Sequence, residues 1–211
     1  MNIREILTDN PVLAIMRNVP IDILTDYAGA ARNGGIRFFE VALNSKDALE
    51  EIRILRDTYK DCLIGAGTAI SVDLCKKALD AGAQFLLTPA TPDPVLAYCR
   101  FNSIPLIPGV MTPSDVVNCL MYGFDTMKLF PACNLPMKYV KSLKGPFDGT
   151  EYIAIGGVNI DNARAFIDAG CLGVGLGGDL FPRAYVKDRD WIRCEKHAEK
   201  LVNSIRGITS L

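Results

Sequence analysis

Eight short apolar runs, spread along the whole chain and separated by segments with helical periodicity, are the feature that most restricts its fold. The runs lie at 12–16, 36–43, 62–64, 85–87, 104–107, 126–130, 152–155 and 172–176. Between the first two, Ile21, Leu24, Ala28 and Ala31 fall on one face of a helix. Strands that are apolar throughout and alternate with helices predict a parallel sheet covered by helices.

Helix boundaries support eight repeated units. Ser71 and Thr112 precede predicted helices as N-caps, and Pro113 occupies a first helical position. Glycines that end helices just before a strand are Gly34, Gly82, Gly123 and Gly170. Eight such units without a dominant Gly-rich nucleotide motif favour a closed, single (β/α)8 TIM barrel over an open doubly wound sheet. We predict one domain over 1–211, with terminal helices at 1–8 and after Trp191.

Composition narrows the class of function. The chain has 211 residues, 49% of them hydrophobic, and a net charge of −1 without a basic run, so no nucleic-acid partner is predicted. No apolar stretch is long enough to span a membrane, and the N-terminus lacks a signal layout. Seven widely spaced cysteines without a CxxC pair indicate cytoplasmic thiols. With His197 as the only histidine, neither a histidine-based metal site nor a Ser-His triad is expected.

Lys128 is the most informative single residue. It lies inside an apolar run with strand character, whereas the other lysines lie in polar loops or charge-rich helical stretches. Burial of an ammonium is costly and lowers its pKa, and a neutral amine can form a Schiff base with a carbonyl substrate. The alternative is a strand-end lysine that extends to water. The run by itself does not separate the two interpretations.

Glu40 is the only carboxylate inside a long apolar run, and strand alternation assigns it to a face that can point into the barrel with Lys128. The two faces consist of Ile36, Phe38 and Glu40 in one strand and of Thr126, Lys128 and Phe130 in the other. An acid and an amine in an apolar setting suit proton transfer. A purely structural ion pair would also fit the pattern.

The ends of the predicted strands, where a barrel has its active site, carry further candidates. Arg17 ends the first strand and can bind a carboxylate or phosphate through its planar fork, although a salt bridge at the rim is the simpler interpretation. Glycine pairs follow the last two strands and allow backbone N–H groups to approach an anion, although they also serve tight turns: Gly156, Gly157, Gly177 and Gly178.

Together these residues resemble a known family. The motifs are Gly-Ile-Arg-Phe-Phe-Glu-Val at 35–41, Ile-Gly-Ala-Gly-Thr at 64–68, Ile-Pro-Gly at 107–109, Met-Lys-Leu-Phe-Pro-Ala at 127–132 and Ile-Gly-Gly-Val at 155–158. In this order and spacing they are similar to the 2-keto-3-deoxy-6-phosphogluconate aldolase family, class I aldolases built as (β/α)8 barrels. The resemblance extends from Pro11 to about Phe181.

The resemblance implies a role for each matching position. Lys128 matches the Schiff-base lysine and Glu40 the general acid/base. The implied substrate contacts are Arg17 and Thr68 to carboxylate or phosphate, Pro89 and Phe130 in the pocket wall, and Gly156, Gly157, Gly177 and Gly178 at the phosphate. The resemblance also implies a homotrimer that releases pyruvate and glyceraldehyde 3-phosphate from a small 2-keto acid. No cofactor and no metal are implied, because the imine itself draws electrons.

Two positions depart from the main family pattern. Asn44 stands where many phosphogluconate-type members have arginine, which resembles the 2-keto-3-deoxy-6-phosphogalactonate branch. Gly178 stands where both branches usually have serine, so a phosphate contact is missing. Alternatives are an aldolase of an unphosphorylated 2-keto acid such as 4-hydroxy-2-oxoglutarate, an isomerase or epimerase, and a non-catalytic barrel that binds sugar phosphates.

Overall fold

The structure, a computed structural model, describes residues 2–207 of the chain and contains nine parallel strands. They are β1 (Val12–Met16), β2 (Phe38–Ala42), β3 (Leu63–Gly67), β4 (Leu86–Leu87), β5 (Leu106–Ile107), β6 (Gly109–Val110), β7 (Thr126–Leu129), β8 (Glu151–Ile155) and β9 (Gly173–Leu176). Each of the eight predicted runs overlaps a strand. The run at 104–107 was predicted too short, because the strand resumes after Pro108.

The sheet closes into a barrel through Pro108. The strand order is β5-β4-β3-β2-β1-β9-β8-β7-β6, so the two outermost members are consecutive in the chain. β5 pairs with β4 and β6 pairs with β7, while the Pro108 carbonyl accepts a hydrogen bond from the Lys128 N–H at 2.8 Å. β5 and β6 are therefore two halves of one barrel strand, and the predicted eight-stranded (β/α)8 barrel is confirmed.

Helices follow the strands and cover the outside of the barrel. They are α1 (Ile3–Asp9), α2 (Leu24–Asn33), α3 (Ala48–Thr58), α4 (Val72–Asp80), α5 (Asp93–Phe101), α6 (Pro113–Met121), α7 (Tyr139–Lys144), α8 (Ala163–Asp168), α9 (Arg183–Lys187) and α10 (Trp191–Arg206). The predicted N-caps are confirmed, since Ser71 and Thr112 accept hydrogen bonds from the backbone of their helices. At the end of α2, however, Gly35 and not Gly34 takes the left-handed conformation, with φ at 100°.

The core has two layers separated by the sheet. Inward-facing residues of the strands fill the barrel interior, and α1 closes its amino-terminal end. This inner layer consists of Ile3, Leu7, Leu13, Ile15, Phe38, Phe85, Leu87, Ile107, Ile153 and Ile155. The opposite strand faces pack against the helices. Ile36 belongs to this outer layer, so its predicted place on the inward face with Glu40 was wrong; β2 begins only at Phe38. Within residues 2–207 no helix is long and apolar enough to cross a membrane.

Candidate active site

Lys128 lies on β7 with its side chain at the carboxyl end of the barrel. Lys128 is 4% exposed, and it is the only buried lysine among residues 2–207. The ammonium nitrogen is 4.8 Å from the centre of the Phe130 ring. Burial lowers the pKa of Lys128 from 10.5, the nearby Arg17 charge lowers it further, and Glu40 partly opposes both. The site therefore favours the neutral, nucleophilic amine.

Glu40 lies on β2, is 1% exposed and carries a buried carboxylate oxygen, Oε2, that has no hydrogen-bond partner in the described part of the chain. Gly67 on the adjacent strand makes room for it, because a β-carbon at that position would overlap the Glu40 carboxylate. Burial raises the pKa of Glu40, against the opposing charges of Lys128 and Arg17. A buried oxygen without a partner is uncommon in folded proteins, and it suits a group that must exchange a proton.

Lys128 and Glu40 do not form a direct ion pair. Across residues 2–207, the ion pairs within 4.0 Å do not include either residue. The alternative of a fixed structural ion pair is therefore not what the structure contains. Burial opposes a charge on each group, and the uncharged forms are the ones needed to attack a ketone and to donate a proton.

A cavity of about 200 Å³ lies at the barrel mouth beside this pair. It brings together six of the predicted residues: Arg17, Phe130, Gly156, Gly157, Gly177 and Gly178. Gly156 and Gly157 have positive φ angles of 98° and 78°, conformations that suit glycine. Within the described chain, the backbone N–H groups of Gly157, Gly178 and Asp179 donate to no other backbone group. The cavity thus offers unpaired donors and one arginine to an anion.

Gly178 leaves space where a side chain could project. A β-carbon there would meet no atom within 4 Å, and the residue does not have a positive φ angle. The missing hydroxyl at this position is therefore not forced by crowding or by the backbone.

The other three predicted substrate contacts do not line this cavity, and neither do Lys128 and Glu40. Thr68 directly follows β3 and has a φ angle of 59°, an unusual conformation for a β-branched residue that is often found at functional sites. Pro89 follows β4, and its backbone lies so close to Gly109 that a β-carbon at position 109 would overlap the Pro89 backbone. Asn44 is exposed, two residues beyond β2. Their roles remain predictions.

Sequence reasoning overlooked two residues of the site. Gly67 provides the space for the Glu40 carboxylate, and Asp179 lines the cavity next to Gly178. A signal for Gly67 was present, because the motif at 64–68 places two glycines beside a strand that carries a glutamate. No signal distinguished Asp179 from any loop carboxylate.

Comparison with known proteins decides the family. The family model described as KDPG and KHG aldolase matches residues 3–197. The chain belongs to this family. Membership makes the chain an aldolase, a lyase, and sets aside the non-catalytic and isomerase alternatives.

Individual relatives agree with this assignment. The KHG/KDPG aldolase of Escherichia coli K12 is 30% identical over 206 residues, 96% of this chain and 95% of the relative. The 2-dehydro-3-deoxy-6-phosphogalactonate aldolase of the same strain is 33% identical over 177 residues, covering 82% and 86%. The Legionella pneumophila KDPG aldolase, solved with pyruvate captured as a covalent carbinolamine, has a TM-score of 0.86 at 27% identity and covers 96% of this chain and 98% of its own.

Proposed function

We propose that this aldolase cleaves a 2-keto-3-deoxy-6-phospho sugar acid to pyruvate and glyceraldehyde 3-phosphate through a Schiff base on Lys128. The observation that carries the proposal is the buried pair in one barrel mouth, a lysine with a lowered pKa and a glutamate with a raised one. The glycine-lined cavity next to the pair supplies a place for the substrate's anionic end.

The reaction follows from this pair. The neutral Lys128 amine attacks the C2 ketone, and the Glu40 carboxyl group donates its proton to the carbinolamine hydroxyl. Water leaves, and a protonated imine and the Glu40 carboxylate remain. The imine accepts the electron pair of the C3–C4 bond while Glu40, directly or through a water, takes the proton of the 4-hydroxyl. The aldehyde leaves. The remaining enamine gains a proton at C3, and hydrolysis releases pyruvate and restores the amine.

The substrate's charged groups have separate binding partners in this proposal. Arg17 and the N–H groups of the glycine turns hold the phosphate, since a planar guanidinium and backbone N–H donors both suit an oxyanion. Thr68 contacts the substrate carboxylate, and Pro89 and Phe130 form the pocket wall. Phe130 also contacts the glycine turn, because a β-carbon at Gly156 would lie 3.1 Å from its ring.

An unphosphorylated 2-keto acid is the second candidate substrate. The relative from Escherichia coli K12 is named for both KHG and KDPG. Gly178, which lacks the hydroxyl of a serine, favours this alternative because it removes one phosphate contact. Cleavage assays with 4-hydroxy-2-oxoglutarate and with the phosphorylated acids separate the two candidates.

The galactonate-type epimer is expected to be cleaved at least as well as the gluconate-type epimer. An arginine at position 44 would put a fixed positive charge near the hydroxyl-bearing carbons, whereas Asn44 offers a neutral donor and acceptor that serve either configuration. The measurement is kcat/KM for each epimer, with Asn44→Arg as the comparison variant, which should shift preference towards the gluconate type. An exclusive preference of the native protein for the gluconate type would refute this role of Asn44.

We also expect the protein to prefer phosphorylated over free acid. The preference should be measurable but smaller than with a serine at position 178. Gly178→Ser adds a hydroxyl in open space, so the variant should fold normally and increase the preference. One hydrogen bond to a charged group is worth roughly 1.5–3 kcal/mol, or about one to two decades in affinity. The readout is the ratio of kcat/KM for the phosphorylated and free acids, and an unchanged ratio would place the phosphate away from Gly178.

A homotrimer is proposed for the assembly. Phe101 and Met121, at the ends of α5 and α6, are 89% and 79% exposed, and large apolar side chains on a surface mark contact sites. Light scattering at micromolar concentration should give three times the monomer mass. Phe101→Ser with Met121→Ser should weaken assembly, whereas Ile192→Ser on α10 serves as a control at another exposed apolar position. A monomeric mass for the native protein contradicts the proposal.

A cytoplasmic location is also proposed. The proposal is supported by the state of the cysteines. All seven are free thiols and six of them are buried, whereas disulfides are typical of oxidising compartments. Thiol titration of freshly isolated protein tests whether the cysteines remain reduced.

A further inference from the structure

A second cavity adjoins the glycine-lined one on the outer side of Arg17. It has a volume of about 330 Å³ and lies between the segment after β1, α2 and α9. Arg17 and Gly178 line both cavities, so the two spaces meet at these residues. The proposed reaction uses the glycine-lined cavity for the phosphate and assigns nothing to this larger one.

The floor of the second cavity is apolar and rigid. It is formed by the buried residues Ile23, Tyr27 and Phe181. The rings of Tyr27 and Phe181 meet edge to face with centroids 4.8 Å apart, an arrangement that fixes both. A concave apolar floor of this kind accepts a flat or branched hydrocarbon body, whereas a sugar phosphate alone does not require one.

The rim of the same cavity carries three cations, Arg17, Arg183 and Lys187. In the part of the chain from 2 to 207, no carboxylate lies within 4.0 Å of the charged nitrogens of these three side chains. Arg189, two residues beyond Lys187, differs, since it pairs with Asp22 at 2.6 Å. Three cations that line one cavity with an apolar floor, and that have no carboxylate within 4.0 Å in residues 2–207, match an organic anion.

We propose that this second cavity, between α2 and α9, is a binding site for a small organic anion with an apolar body, held by Arg17, Arg183 and Lys187 over Tyr27 and Phe181. Arg17 connects the site to catalysis. An occupant that pairs with Arg17 competes with the phosphate of the substrate for that guanidinium, and so raises the KM for phosphorylated substrate. This last consequence rests on the proposed function, whereas binding itself does not.

Calorimetric titration with phenyl phosphate and inorganic phosphate tests the site. Inorganic phosphate fits the glycine-lined cavity, and only phenyl phosphate can also fill the apolar floor, so it should bind about tenfold or more tightly. The double variant Arg183→Ala/Lys187→Ala should weaken phenyl phosphate about tenfold and inorganic phosphate less than twofold. Arg189→Ala is the matched control. It removes an exposed arginine from the same segment, but one that already pairs with Asp22.

Ile23→Trp, at the residue just before α2, is a second variant that fills the cavity and should remove the preference for phenyl phosphate. Equal affinities of the two anions for the native protein would overturn the site, as would equal losses of both in the double variant. Pyruvate trapping on Lys128 in the same samples keeps the two proposals separate. Trapping without a phenyl phosphate preference refutes the second site alone, and the preference without trapping refutes the Schiff base alone.

Discussion

Reduction with borohydride in the presence of pyruvate is expected to attach one pyruvate-derived group to Lys128 and to no other lysine. The physical reason is protonation. Burial lowers the pKa of Lys128 and so favours the neutral amine that attacks a ketone, whereas the other lysines in residues 2–207 are exposed or half-buried. Mass spectrometry of the intact protein and of its peptides reads out both the number and the position of adducts.

Lys128→Arg is expected to abolish the adduct and turnover, because arginine keeps its charge at every working pH. Lys144→Arg is the matched control, since Lys144 is half-buried but pairs with Glu151 at 2.6 Å and lies away from the barrel mouth. The control should label and turn over as the native protein does. An unmodified Lys128, or equal labelling of the Lys128→Arg variant, would contradict the assignment.

The fold could be predicted from the sequence because its signals are local and repeated. Most residues of the strands are buried on both faces of the sheet, and N-caps such as Ser71 and Thr112 can be recognised from their residue types. Two errors have local causes. Pro108 looks like the end of a strand, although the strand continues at Gly109 because the Pro108 carbonyl still accepts a ladder bond. In the sequence, Ile36 continues the alternation of β2. In the structure the chain makes a left-handed turn at Gly35, and the strand begins only at Phe38.

The site could be predicted only in part, because its remaining features depend on distances between strands. The apolar setting of Lys128 and Glu40 is visible in the chain, and so are the glycine pairs. The gap between the amine and the carboxylate is not visible, nor is the space that Gly67 provides for Glu40, because both depend on how neighbouring strands are staggered. The cation site cannot be recognised in the sequence either. Arg183 and Lys187 share a cavity with Arg17 only because α9 lies against the segment after β1.

Replacement of Glu40 by glutamine is expected to keep the fold and some imine formation while turnover falls by roughly 10²–10⁴-fold, the usual contribution of a positioned acid or base. The fold should survive because glutamine has nearly the same shape and removes a carboxyl group that burial already disfavours as an anion. Steady-state cleavage and borohydride trapping, measured on the same preparation, separate the proton-transfer step from attack by the amine. Near-normal turnover would reduce Glu40 to a structural residue.

Glu51→Gln is the matched control for this variant. Glu51 on α3 is also buried with an unpartnered Oε2, and burial raises its pKa to about 7, but it lines neither cavity at the barrel mouth. Its folded pKa lies above the ordinary value of 4.5, so the stability that its protonated form contributes is lost as pH rises from about 4.5 through 7. The control should therefore keep turnover and gain free energy of unfolding above pH 7.

The pH dependence of imine formation tests whether the charges of Glu40 and Arg17 act on the Lys128 amine. The negative charge of Glu40 raises the pKa of Lys128, and the positive charge of Arg17 lowers it. Since the amine reacts only when neutral, trapping should increase with pH through the pKa of Lys128. Glu40→Gln should move that midpoint to lower pH, and Arg17→Met should move it to higher pH. Opposite shifts from two neutralising substitutions would show that both charges act on the amine, whereas shifts in the same direction would contradict this electrostatic account of the site.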